Sequence, residues 1–121
     1  MSMQRLISAI LLVPFLMMPS ADASSGPVCG VASWYSDSLK GQKTASGKRY
    51  NPDAFVSAHR TLPFGTRLIV KEANGDKFVE VTVIDRGPHR KSRIIDLSKA
   101  AARKLGFGKR GLKRVCIERV Q

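Results

Sequence analysis

Acidic residues are scarce in this 121-residue chain: Asp and Glu number 9 against 21 Lys and Arg, a formal charge of +12. Such a field draws polyanions (nucleic acid, anionic lipid, or the acidic peptides and polymers of a cell wall) but does not by itself specify a site. Cysteine is nearly absent, with 2 residues, and so is histidine, with 2. His59 and His89, thirty residues apart and without a cysteine pair, make no zinc site, and neither a metal nor a cofactor is expected. Internal repeats and low-complexity segments are missing, and so is any apolar run long enough to span a bilayer, which needs about 20 residues.

The longest apolar stretch, Leu6 to Met18, follows Arg5 and precedes Ala21-Asp22-Ala23, a small-x-small cleavage site. That order is the signature of an export signal at 1–23, leaving one domain at 24–121. No lipobox precedes Cys29, which follows Gly26-Pro27-Val28, so a monomer without a membrane anchor is expected in the periplasm or outside the cell. Export argues against nucleic acid as partner. It also makes a disulfide between Cys29 and Cys116 the natural reading of an even count, the alternative being two buried thiols. Closing that loop is worth about 4 to 5 kcal/mol in the entropic model.

Along the mature chain the signals are mostly those of short strands. Val31 to Tyr35 is β-prone, and Ser36 to Lys48 is a polar, glycine-bearing loop. Pro52 and Asp53 open a turn or short helix carrying Ala54, Phe55 and Ala58. Strands are expected at Thr66–Lys71 and Phe78–Ile84 around an Asn74-Gly75 hairpin, then at Arg93–Leu97 and Leu112–Val120. Leu97, Ala101 and Leu105 fall at helical spacing, with Asp96 or Ser98 as N-cap and Gly106 as the stop. Short strands with one small helix point to a mainly β barrel rather than a layered α/β sheet.

Four segments then appear in order: Gly30-Val31-Ala32-Ser33-Trp34-Tyr35; Thr44-Ala45-Ser46-Gly47; Ala58 to Thr66; and Asp85-Arg86-Gly87-Pro88 with Arg93 to Ser98. Together they resemble the rare lipoprotein A family. The resemblance implies a six-stranded double-psi β-barrel with one or two short helices, shared with expansins and barwin-like proteins. It also implies endolytic lytic transglycosylase activity on peptidoglycan glycan strands: cleavage between N-acetylmuramic acid and N-acetylglucosamine leaves a 1,6-anhydro end. Other cell-wall or division proteins are implied as further partners.

That chemistry asks for one carboxyl group to protonate the leaving oxygen and then to accept the proton of the attacking C6 hydroxyl. Asp85, at a strand end before a Gly-Pro turn, is the candidate acid, the competing reading being an aspartate that only braces the turn. His59 matches the family's site histidine and joins it as a catalytic candidate, against a merely packed imidazole. Thr44, Ser46, Lys48 and Arg86 are candidate substrate contacts, and Trp34 and Tyr35 candidate stacking platforms for sugar rings, although such a pair is as often core. The pattern departs from the family at Lys48, where a glutamate implicated in catalysis is usual, and at Asn51, where aspartate is common. Two alternatives therefore stand beside the enzyme: a non-catalytic peptidoglycan-binding barrel, and a secreted basic protein of another role.

Overall fold

The computed structural model describes residues 26–120. The expected export signal and its cleavage site lie outside the described residues. Six strands close into a barrel: β1 (Val28–Trp34), β2 (Val56–Ala58), β3 (Arg67–Glu72), β4 (Phe78–Asp85), β5 (Arg93–Leu97) and β6 (Lys113–Arg119), with one helix, α1 (Lys99–Lys104). Around the wall they run β1-β5-β2-β4-β3-β6. The β1–β5 and β2–β4 pairs are parallel and the remaining four antiparallel.

Period-two alternation builds the core. Leu68 and Val70 on β3, Val79, Val81 and Val83 on β4, and Val115 and Ile117 on β6 all point inward and are buried. Each such side chain stabilises by about 1.5 to 3 kcal/mol on leaving water. The helix follows the barrel wall directly: Ser98 is its N-cap, its hydroxyl accepting from the Ala101 amide at 3.3 Å. Gly106 ends it at φ 80°, a left-handed conformation that suits glycine. Ala101, Ala102, Leu105 and Phe107 then pack against the strands.

One difference from the sequence reading matters for the site. Residues 52–53 form a turn, and Ala58 belongs to β2, a three-residue strand with no alternation long enough to announce it. The expected Asn74-Gly75 hairpin is present: it joins β3 to the antiparallel β4 and is closed by the Glu72 amide donating to the Lys77 carbonyl at 3.0 Å. The polar 36–48 loop holds a single 3₁₀ turn at Asp37–Leu39. Cys29 and Cys116 face each other across the β1–β6 seam and are joined by a disulfide.

Candidate active site

The topology gathers polar side chains at one end of four neighbouring strands. Short β2 lies between β4 and β5, so Ala58 pairs with Asp85 on one side and with Asp96 on the other. On the far side of β5, Ser33 of β1 pairs with Asp96. Side chains on these strands alternate: Ile95 and Leu97 enter the core, which leaves Asp96 on the opposite face, where its Oδ1 accepts from the Ser33 hydroxyl.

Asp85 ends β4 with both carboxylate oxygens engaged. Oδ1 accepts the Ala45 amide at 2.8 Å and the Arg86 amide at 2.9 Å; Oδ2 accepts the Tyr35 hydroxyl at 2.5 Å. Tyr35 is 9% exposed, and its ring lies against Tyr50 with centroids 4.5 Å apart. Burial first, then the hydrogen bond to Asp85 and the charges of Asp85 and Asp96, push the Tyr35 phenol up. It is a neutral donor at working pH.

Ala45 reaches Asp85 because the loop around it is braced. Lys43 and Arg49 form a bridge, the Thr44 hydroxyl donates to the Lys48 carbonyl at 2.6 Å, and the Ser46 amide donates to Ile84 at 3.1 Å. Thr44 and Ser46 thus serve the loop with their hydroxyls, which also lie 3.1 Å from each other. Lys48 is exposed, and among the described residues no salt bridge joins it to Asp85.

His59 follows β2, half-buried. Its Nδ1 accepts the amides of Thr61 and Leu62, both at 3.1 Å, so this nitrogen carries no proton. Burial, then Arg60 and Arg86, hold the imidazole below its ordinary range and favour the neutral Nε2–H form. The link to Asp85 runs through the backbone, His59 amide to Asp85 carbonyl at 3.1 Å, and no side-chain bond joins the two.

Arg86 donates to the His59 and Leu62 carbonyls at 3.2 and 2.8 Å and stacks on Phe64 at 4.0 Å, which makes it a brace of the 59–64 loop. Gly87, at φ 134°, leaves the space beside Asp96 clear: a Cβ there would lie 3.6 Å from Asp96 Oδ2. Trp34 points away from Tyr35, packs against the core and donates its indole N–H to the Arg110 carbonyl at 3.0 Å. The expected Trp34–Tyr35 stacking platform is therefore divided, one ring on each side of β1, and Tyr35 is too buried to offer its face to a sugar. Among the described residues no group of three or more His, Cys, Asp or Glu is placed to hold a metal.

Two members of this cluster escaped the sequence reading. Asp96 was a helix-cap candidate; Ser98 takes the cap and frees it. Tyr50 is buried in a polar segment, its hydroxyl accepting the Lys99 amide at 3.1 Å. For Asp96 the available signal was a lone acid amid Ile94, Ile95 and Leu97; for Tyr50 there was none. A cavity of about 470 Å³ on the barrel flank, between Val31, Arg110, Leu112 and Arg114, contains none of the residues around Asp85.

The barrel and its rim define a double-psi β-barrel domain with a carboxylate–phenol cluster at one end. The chain belongs to the lytic transglycolase family, whose model matches residues 27–117. It is 48% identical over 91 residues to the endolytic peptidoglycan transglycosylase RlpA of Neisseria meningitidis, covering 75% of this chain and 38% of that protein. With the probable endolytic peptidoglycan transglycosylase RlpA of Aquifex aeolicus the identity is 51% over 83 residues, 69% of this chain and 37% of the other. The chain thus spans little more than a third of the length of these relatives. Among solved structures, the Streptomyces papain inhibitor superposes with a TM-score of 0.64 at 24% identity, over 79% of this chain and 96% of the inhibitor. The apo expansin of Clavibacter michiganensis gives 0.63 at 25%, over 79% and 51%.

Proposed function

We propose that the domain is an endolytic peptidoglycan lytic transglycosylase that cleaves the bond between N-acetylmuramic acid and N-acetylglucosamine. The observation that carries the reading is Asp85: a carboxylate at a strand end, fixed through both oxygens, on a family barrel whose relatives are named for this activity. In its protonated form Asp85 gives its proton to the glycosidic oxygen as the bond to C1 breaks. The carboxylate left behind takes the proton of the C6 hydroxyl as that oxygen bonds to C1. The 1,6-anhydro ring closes, no water is consumed, and Asp85 is again protonated. His59, neutral and with Nδ1 occupied, has only Nε2–H to offer, which suits a hydrogen bond to a substrate oxygen. Lys48 and the surrounding cations hold the polymer. The protein works outside the cytoplasm as a monomer without cofactor, residues 1–23 having been removed on export.

A second reading has its own observation. Lys48 stands where the family carries glutamate and makes no salt bridge to Asp85, which is what a wall-binding barrel that has lost one carboxylate would show. Digestion of purified sacculi with the mature protein, followed by mass analysis, separates the two. Release of fragments with 1,6-anhydromuramic ends is expected; retention on sacculi without release would establish the binder.

A further inference from the structure

The two oxygens of Asp85 are held differently. Oδ1 takes two backbone amides, from Ala45 and Arg86, which occupy its two acceptor directions. Oδ2 takes one donor, the Tyr35 hydroxyl, and keeps one direction open. We propose that Tyr35 is a positioning residue, its hydroxyl fixing the Asp85 carboxyl so that proton transfer takes place at Oδ2. The proposal rests on the activity proposed above and adds the atom that reacts and the group that aims it.

The construction around Tyr35 supports this. Tyr35 follows β1 and Asp85 ends β4; β5 and β2 lie between those strands in the barrel, so one hydroxyl spans three strand seams. Its ring is clasped by Tyr50, whose own hydroxyl is fixed by the Lys99 amide where α1 begins. The titratable groups acting on the Tyr35 hydroxyl besides Asp85 are Asp96 on β5 and Tyr50; the Arg86 side chain turns to the His59 and Leu62 carbonyls, and only its backbone amide reaches Asp85. Burial first, and then the hydrogen bond to Asp85 and the two carboxylates, disfavour a phenolate, so the tyrosine keeps its proton while Asp85 cycles. Protonated Asp85 passes the Oδ2 proton to the glycosidic oxygen, and the C6 hydroxyl proton returns to the same atom.

The test is Tyr35→Phe in the mature chain, which keeps the ring against Tyr50 and removes only the hydroxyl. Carbon-13 titration of the Asp85 carboxyl, assigned with Asp85→Asn, should show the midpoint rising by about one pH unit, since a donor to the ionised form has gone. On sacculi, kcat should fall by about tenfold or more with KM within about twofold, because aim is lost and affinity is not. The carboxylate limb of the pH profile should move up with the titration midpoint. If Tyr35→Phe does not fold, 3-fluorotyrosine at position 35, a stronger donor, should move the midpoint down. An unmoved midpoint in either variant, or wild-type kinetics and pH profile in Tyr35→Phe, overturns the proposal. A wild-type protein that never cleaves defeats the activity instead, and the titration still decides the Tyr35–Asp85 coupling.

Discussion

The two halves of the barrel wall are built to different rules. On one side β3 pairs with β4 and with β6 through five residues each, without a break in register. On the other, β2 has three residues, and the register slips at Ser57/Ala58 against β4 and at Val31/Ala32 between β1 and β5. The regular side converts nearly every inward position into Val, Leu or Ile. The irregular side supplies Ser33, Asp85 and Asp96 and the loop residues His59 and Tyr35. A break in register re-aims side chains, and a short strand ends early enough for its neighbours to converge. Apolar packing and the polar cluster around Asp85 occupy separate arcs of one small wall.

The sharpest test of that division is Asp85→Asn. Cleavage should fall by about 100- to 10,000-fold, while circular dichroism and the melting point stay close to wild type. Loss of the fold instead would mean that the irregular arc also holds the barrel together. Lys48→Glu probes the same arc from the 43–49 loop whose Ala45 amide binds Asp85: with the carboxylate restored, cleavage should rise by about 100-fold. No change would place residue 48 outside the reaction.

Substitutions at the β1–β6 seam, which closes the wall away from Asp85, should have the opposite profile. Replacing both cysteines, Cys29→Ser with Cys116→Ser, should cost about 2 to 5 kcal/mol in urea unfolding. Activity per folded molecule should be unchanged, and a drop would show the seam to be coupled to the site.

The smallest effect concerns His59. Its imidazole is held below the ordinary value of about 6.5, so on acidification the unfolded chain takes up a proton before the folded one does. The stability this histidine contributes is present above that ordinary value and is lost as pH falls through it. His59→Asn retains an acceptor for the Thr61 and Leu62 amides but cannot titrate. Calorimetry at pH 7 and pH 5 should show a smaller acid-induced decrease in melting temperature for the variant; equal decreases would assign the sensitivity elsewhere.

The same contrast explains what could be read from the sequence. Alternation exposed β3, β4, β5 and β6, and helical spacing with Ser98 and Gly106 exposed α1. Val56-Ser57-Ala58 was too short to carry a period, and its strand exists because β4 and β5 flank it. Asp85 and His59 were legible as candidates because they stand in local strings. The Tyr35–Asp85 contact was not: the two residues lie 50 positions apart, and nothing in an isolated Trp-Tyr pair points to it. Asp96 meets Ser33 across 63 residues, a distance that no local pattern encodes.

The position of β1 has a consequence for how the molecule is assembled. Its neighbours in the wall are β5 and β6, the last two strands of the chain. Until those segments exist, the first strand has no edge to join, and β2, β3 and β4 can form only an open sheet. Closure is thus a late, nonlocal event, of the kind that slows folding and leaves an unpaired edge exposed meanwhile. A protein cut short before residue 113 would lose more than one strand, because β1 would keep only its parallel partner and β3 would become an open margin.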